Sequence, residues 1–160
     1  MQILFPKLKD LVLCSIGIER IWLPQAFCST RNLTKLIIKG CTNLKYVLSD
    51  SMVEYLQQLE YLEISECKCI QEIISKENII EEAFRNMYLI CFPRLNTFKL
   101  KGLQKLIGFC DEDYNVEFPT LKILEIESCP KLKGFIHISK SKEISIDAVF
   151  FNNKIIEEQC

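Results

Sequence analysis

Histidine, glycine and proline are scarce in this chain, which has one histidine, five glycines and five prolines among 160 residues. A zinc site would depend on His137 together with cysteines that lack finger-like spacing. The glycines form no phosphate-cradling loop and no dinucleotide-binding fingerprint, and no nucleophile elbow occurs. We therefore expect no enzyme, no metal site and no cofactor.

An excess of one charge sign is also missing, because 20 basic residues stand against 21 acidic ones and the net charge is −1. This balance gives no electrostatic footprint for nucleic acid or anionic lipid. No apolar run approaches the roughly 18 residues that a membrane span needs. Pro6, Lys7, Lys9 and Asp10 interrupt the region where a signal peptide needs a continuous apolar stretch. We expect a cytoplasmic protein that neither binds nucleic acid nor inserts into a membrane.

The chain does contain a repeated apolar pattern. Its second unit has anchors at offsets 0, 3, 5, 8, 11 and 14, which are Leu33, Leu36, Ile38, Cys41, Leu44 and Val47. Units that start at Leu59, Leu95 and Leu121 repeat these offsets, and a first unit starts at Leu8 with its later anchors one residue early. Successive units start 25, 26, 36 and 26 residues apart. Units of roughly 20 to 29 residues with this pattern are leucine-rich repeats.

The architecture follows from the L-x-x-L-x-L core of each unit, whose last two anchors are spaced as side chains alternate along a strand. A single unit cannot cover its apolar edge, so neighbouring units must stack and share one core. The pattern predicts an α/β leucine-rich-repeat solenoid of about five repeats over residues 1–135. This solenoid should be curved, with a parallel sheet on the concave side and loops and short helices on the convex side. We expect residues 136–160 to form an irregular C-terminal cap or tail, with one degenerate strand near Ile144, Ile146 and Val149.

Several local signals mark the segments between strands. Three units open with phenylalanine and proline, at Phe5, Phe92 and Phe118, and each phenylalanine should pack under the strand that follows. Ser51 and Glu54 have the spacing of a helix capping box, which predicts a short convex helix. An insertion lies within 75–91 and predicts an amphipathic helix or an acidic loop. The apolar residues at helical spacing in it are Ile79, Ile80, Ala83, Phe84 and Met87.

Nine cysteines raise the question of disulfides or metal ligation. Cys41, Cys67 and Cys129 occupy the same slot of their repeats, and Leu103 fills that slot in the fourth unit. A slot that accepts cysteine or leucine is a small buried apolar site, where free cysteine behaves as a hydrophobic residue. We therefore predict that these thiols are free and buried.

The strand residues between the anchors should face outward on the concave side, and basic and acidic strands alternate there. We expect lateral pairs between Glu63 and Lys99, Lys99 and Glu125, and Lys101 and Glu127, because equivalent residues of adjacent strands lie about 4.8 Å apart. One interpretation is mutual neutralisation of a solvated face. The other is a mixed-charge platform with apolar contacts for a protein partner. The candidate protein-binding residues are Lys35, Ile37, Lys39, Tyr61, Glu63, Lys99, Lys101, Ile123, Glu125 and Glu127.

Three segments resemble one known family. They are Leu59 to Cys67 ending in Gln71 to Ile74, the block Phe92 to Cys110, and the C-P-K-L-K run from Cys129 to Lys133. Over about Phe5 to Phe135 the chain resembles the repeats of plant coiled-coil nucleotide-binding leucine-rich-repeat disease-resistance proteins. The resemblance implies sensing of pathogen effectors or restraint of a nucleotide-binding switch. It also implies that the partner is an effector, a guarded host protein or an upstream nucleotide-binding domain.

That switch, its P-loop and the coiled coil are absent from this sequence, so we expect a truncated product or a fragment of a longer gene model. The first unit has no polar cap, and we expect the isolated chain to be marginally stable or to associate through that end. The alternative function is an F-box-type leucine-rich-repeat substrate adaptor of a ubiquitin ligase. That class also carries cysteine after the strand, but its repeats usually continue with threonine and aspartate before a glycine, whereas Cys41 is followed by Thr42, Asn43 and Leu44.

Overall fold

Short parallel strands recur once or twice in every repeat of the computed structural model, which describes residues 7–22, 29–76, 88–110, 114–132 and 148–151. The strands of this described part, in chain order, are β1 (Asp10–Cys14), β2 (Lys35–Lys39), β3 (Leu48–Ser49), β4 (Tyr61–Ser65), β5 (Ile74–Ser75), β6 (Tyr88–Cys91), β7 (Thr97–Lys101), β8 (Tyr114–Glu117), β9 (Ile123–Glu127) and β10 (Ala148–Phe151).

The main sheet has the order β1-β2-β4-β7-β9-β10, and every neighbouring pair is parallel. The register places the first residues of the strands side by side, in the row Asp10, Lys35, Tyr61, Thr97, Ile123 and Ala148. Each repeat therefore adds one strand in register with the previous one. The predicted leucine-rich-repeat solenoid is confirmed.

The repeated anchors form the core. All described anchors of the second to fifth units, from Leu33 to Leu132, are at most 5% exposed. They are buried because each unit is covered by the next one along the stack. Leu11 and Leu13 on β1 are only half-buried, since the described part of the chain gives this strand a neighbour on one side.

A left-handed residue follows each strand from β1 to β9 of the main sheet. These residues, with φ between 53° and 65°, are Ser15, Gly40, Glu66, Gly102 and Ser128. The N–H of Gly40 donates to the carbonyl of Ser65 at 2.9 Å, and the N–H of Gly102 donates to the carbonyl of Glu127 at 2.9 Å. The turn thus extends the parallel hydrogen bonding one residue beyond the strands and directs the chain into the return segment.

The return segments contain the expected loops and a short helix, Asp50–Tyr55, and in addition short parallel strands that the sequence did not predict. β3 pairs with β5 and β6 pairs with β8, again in parallel, and Glu72 bridges to Gly108. The carbonyls of Ile73 and Phe109 each accept two backbone N–H groups from a neighbouring repeat. Stacking of the repeats therefore provides hydrogen-bond partners for the backbone N–H and C=O groups of the return segments as well as for those of the main sheet.

The helical content of the described residues consists of 3-10 turns at 29–32 and Asp50–Tyr55. The predicted capping box is wrong, because Ser49 is the N-cap residue and makes no side-chain cap hydrogen bond. β3 ends at Ser49 and the helix begins directly after it, so Ser51 lies inside the helix. The predicted short helix itself is present, and its residues Met52 and Val53 are buried against the core.

Four buried phenylalanines of the fourth and fifth units, Phe92, Phe98, Phe109 and Phe118, pack against one another. The rings of Phe92 and Phe118, which open successive units, are stacked 5.5 Å apart, as expected for residues packed under their strands. Phe109 meets both Phe98 and Phe118 edge to face, at 5.7 and 5.5 Å. These geometries are favoured by the ring quadrupoles and fix how the units approach one another.

Two predictions fall mainly outside the described residues. The predicted helix or loop around Ile79 to Met87 lies outside them, as does Phe5. In the tail, Ile144 and Ile146 also lie outside, whereas Val149 lies in β10 together with Phe150 and Phe151. The domain bounds 1–135 and 136–160 stay predictions.

Candidate protein-binding face

The outward positions of β2, β4, β7 and β9 place all ten candidate residues on one face of the main sheet. Strand alternation and the common register arrange them in three lateral rows. The first row holds Lys35, Tyr61 and Ile123, the second holds Ile37, Glu63, Lys99 and Glu125, and the third holds Lys39, Lys101 and Glu127. Every one of these residues is exposed or half-buried.

Two of the three predicted lateral ion pairs are confirmed. Lys99 Nζ lies 3.2 Å from Glu125 Oε2, and Lys101 Nζ lies 3.3 Å from Glu127 Oε2. The predicted Glu63–Lys99 pair is replaced by a diagonal pair, in which Lys39 Nζ lies 3.4 Å from Glu63 Oε1. Lys99 pairs with Glu125 on its other side, and its charge still lowers the pKa of Glu63 from a distance.

Tyr61 links these charges into a cluster. Its hydroxyl donates a hydrogen bond of 2.6 Å to Glu63 Oε2, and the ammonium of Lys35 lies 5.3 Å from the centre of its ring. Burial, followed by the carboxylates of Glu63 and Glu125, raises the pKa of Tyr61 to about 12. The Tyr61 hydroxyl therefore stays protonated and keeps its ring in a fixed position over the sheet.

The pKa of the Glu63 carboxyl group is lowered, whereas that of Tyr61 is raised. Partial burial favours its neutral form, but the hydrogen bond from Tyr61 and the positive charges of Lys39 and Lys99 outweigh that effect. The net result is a lowered pKa, so the side chain is ionised at neutral pH. The cluster is thus a preformed polar centre on the face.

The face also includes an exposed apolar residue on β1 and two small polar residues that longer neighbours cover. Val12, which precedes Ile37 in the second row, is 55% exposed, so the apolar part of the face extends onto β1, beyond the candidate residues. Thr97 and Ser65 also point outward, but they are only 8% and 7% exposed. They lie in the register between longer neighbours, Tyr61 and Ile123 in one row and Lys39 and Lys101 in the other.

Comparison with known proteins identifies the repeat class. The family model described as "Plant disease resistance protein RPS2-like, leucine-rich repeats" matches residues 7–145. The chain belongs to this family. It is also similar to disease resistance protein RPS5 of Arabidopsis thaliana, with 28% identity over 110 residues, which cover 69% of this chain. The chain spans about 12% of the length of that relative. No solved structure matches the chain.

An RPS2-like leucine-rich repeat region is a protein-interaction fold and is not typically catalytic. The family match also favours the disease-resistance class over the F-box-type adaptor. In the described part of the chain, no three His, Cys, Asp or Glu side chains are grouped as a metal site requires. None of the helices described is long and apolar enough to cross a membrane.

The cysteine slot of this RPS2-like region has a structural role. Cys41, Cys67, Cys129 and Leu103 are all buried, and the three cysteines are free thiols, as predicted. Each thiol points to the carbonyl two residues earlier, and the closest contact is 3.3 Å, from Cys67 Sγ to Ser65 O. Burial raises the pKa of Cys67 to about 11 and also raises that of Cys129. The thiols of Cys67 and Cys129 are therefore protonated and unreactive.

Proposed function

We propose that the outward face of the main sheet binds a protein partner on behalf of a plant disease resistance protein. The partner is a pathogen effector, a guarded host protein or the receptor's own nucleotide-binding domain, which the repeat region would restrain. One observation carries the proposal: a single sheet face presents the ten candidate side chains in register, with apolar residues set among paired charges. We also propose that the chain works in the cytoplasm, as this class of receptor does.

The apolar residues supply the binding energy in this proposal. Ile37, Tyr61 and Ile123 lie on successive or nearby strands, and Val12 extends the patch at the first strand. Burying such side chains under a partner stabilises a complex by about 25 cal/mol for each Å² of apolar surface removed from water. Tyr61 is already held in place by Glu63 and Lys35, so little conformational entropy is lost when it is covered.

The paired charges supply specificity. Lys99–Glu125 and Lys101–Glu127 are exposed pairs, and such pairs contribute at most about 1 kcal/mol each to the stability of the fold. A partner whose surface charges are opposite in sign to those of the face gains favourable contacts without breaking these pairs. A partner with another arrangement of charges is repelled, because like charges are brought together. The face therefore discriminates between partners through the order of its charges.

The test is site-specific photo-crosslinking in plant tissue, with the chain expressed in its natural full-length context. A photoreactive amino acid at Tyr61 should crosslink to a protein partner, whereas the same group at Ile107 should not. Ile107 is a suitable control because it is 48% exposed and lies beside the return segments. Alanine substitutions at Lys35, Tyr61, Lys99 and Glu125 should reduce recovery of the same partner. Equal crosslinking from both positions, or unchanged recovery, would contradict the proposal.

A further inference from the structure

A second surface runs along the edge of the main sheet where its strands begin. The residues that flank the first anchor of each unit form two lateral rows there. One row holds Lys7, Asn32, Gln58, Arg94 and Thr120, and the other holds Lys9, Thr34, Glu60, Asn96 and Lys122. Backbone bonds from each strand to the next confirm the alignment, for example from Glu60 N to Thr34 O at 2.8 Å and from Asn96 N to Glu60 O at 2.9 Å.

Positive charge dominates this edge. Four of the ten flanking positions are basic and one, Glu60, is acidic. The four cations together with Arg31, which precedes Asn32, form what we call the basic rim: Lys7, Lys9, Arg31, Arg94 and Lys122. Among the residues that the structure describes, no rim cation has a carboxylate oxygen within 4 Å. Lys39, Lys99 and Lys101 on the outward face, by contrast, all have one. The rim cations thus have no ion-pair partner in the described part of the chain, and Glu54 and Glu60 are acids that lie near them.

A hollow of about 420 Å³ opens on this rim, lined by Arg31, Glu54, Tyr55, Gln57 and Gln58. The guanidinium of Arg31 lies over the Tyr55 ring, 5.3 Å from its centre, a cation–π contact that holds the charge beside the ring. Glu54 lies in the same hollow but beyond ion-pair distance of Arg31. The Arg31 guanidinium therefore lies against Tyr55 without an ion pair to Glu54.

Arg94, which opens the fourth unit, is held by a residue that opens the third unit. Arg94 Nη1 donates a hydrogen bond of 2.6 Å to Gln58 Oε1, and because Gln58 lines the hollow, the second guanidinium lies beside it. Gln57 Nε2 donates to the carbonyl of Val53 at 3.4 Å, so its amide oxygen is available as an acceptor. Guanidinium groups bind carboxylates through two parallel hydrogen bonds, and amide side chains bind peptide groups. The hollow therefore combines features that suit an acidic peptide.

We propose that the basic rim binds an acidic segment of a protein partner, with one of its carboxylates seated against Arg31 in the hollow. This surface is separate from the outward face and does not depend on the function proposed for that face. Arg31 and Arg94 belong to repeats two strand spacings apart, about 10 Å. An extended peptide advances about 3.3 Å per residue, so carboxylates two to four residues apart reach both arginines.

Two features favour a protein over a nucleic acid as the partner. Glu60 lies in the middle of the rim, where it would repel a continuous phosphate backbone. The positions between the cations include Gln58 and Asn96, whose amide oxygens accept from Arg94 and Thr97 and whose amide nitrogens suit hydrogen bonding to the carbonyls of a peptide backbone. An acidic peptide avoids Glu60 by placing an uncharged residue there.

The test is fluorescence anisotropy of the full chain with labelled poly-L-glutamate, at low and at physiological salt. The double variant Arg31→Gln with Arg94→Gln should bind at least about tenfold more weakly, since two charge-assisted contacts are lost. The matched control Lys105→Gln with Lys131→Gln removes the same charge from the opposite edge of the sheet and should change affinity less than about twofold. Glu60→Gln should bind more tightly than the natural chain.

Several outcomes would overturn the proposal. They are no binding of poly-L-glutamate, equal losses in the two double variants, or tighter binding to duplex DNA with the same dependence on the two arginines. All the substituted residues are exposed or half-buried, so thermal unfolding midpoints should not change. If the arginine double variant does unfold, the affinity of the Glu60→Gln variant for poly-L-glutamate becomes the deciding measurement. An affinity equal to that of the natural chain would then contradict the proposal. Crosslinking at Tyr61 should be unaffected by the arginine variants, which separates this test from that of the outward face.

Discussion

Substitution of Gly102 by alanine should destabilise the fold through the turn that follows β7. Gly102 has a φ of 63°, and an L-residue in this left-handed region costs about 1–2 kcal/mol relative to the right-handed one. A Cβ atom at this position would also collide with the carboxylate of Glu66. Glu66 is exposed and can swing away, so the backbone term dominates. We expect a net loss of about 1–2 kcal/mol in the free energy of unfolding.

Urea denaturation followed by circular dichroism measures this loss as a shift of the midpoint at constant slope. Gly108→Ala is the matched control, because no left-handed φ occurs there and the nearest atom to a Cβ would be Cys110 O at 3.8 Å. This control should change stability by less than about 0.5 kcal/mol. In a Glu66→Ala background the collision is absent, so the Gly102→Ala loss that persists there reports the backbone strain alone. Equal midpoints for the two glycine variants would refute the reasoning.

The remaining predictions concern the core, the thiols and the charged face. Phe98→Ala should lower the free energy of unfolding by about 3–5 kcal/mol, because the ring is buried against Phe109 and Phe118, whereas Leu89→Ala, at an exposed site, should change it little. Iodoacetamide should label exposed Cys14 in the native chain, while Cys67, whose pKa is raised to about 11 by burial, reacts only after unfolding; mass spectrometry distinguishes the two, and native labelling of Cys67 would contradict its burial. Because the pKa of Glu63 is lowered in the fold, its contribution to stability is present above the ordinary value of 4.5 and is lost as the pH falls through the folded value. Glu63→Gln should therefore reduce the fall in urea midpoint between neutral and acidic pH, and an unchanged fall would contradict the pairing with Tyr61 and Lys39.

The fold could be predicted from the sequence because its information is periodic. The same offsets recur in every unit, so they specify which residues are buried and which strands lie side by side. The buried cysteine slot follows from the same comparison of units, as does the lateral row that brings Lys99 beside Glu125. Because each repeat stacks directly on the next, residues at the same offset in adjacent repeats become neighbours in the structure.

Features that depend on side-chain torsions or on non-repeated contacts could not be predicted in this way. Glu63 has a lysine on each neighbouring strand, and the hydrogen bond from Tyr61 accompanies its pairing with Lys39. The start of the 3-10 helix depends on where β3 ends, which the spacing of Ser51 and Glu54 does not encode. The basic rim does not follow from the strand pattern, because its cations occupy positions beside the anchors and not the outward positions of the strands.

Whether successive repeats stack one strand at a time, in register, is tested most directly by an electron spin resonance distance. Spin labels introduced through unnatural amino acids at Asp10 and Ile123 would leave the native cysteines untouched. Both side chains are exposed, and they lie in one row, four strand spacings apart along β1, β2, β4, β7 and β9. In-register stacking predicts a single narrow distribution centred near 20 Å, since adjacent strands are about 4.8 Å apart. A broad distribution, or one centred beyond about twice that distance, would contradict the shared sheet on which both proposed binding surfaces depend.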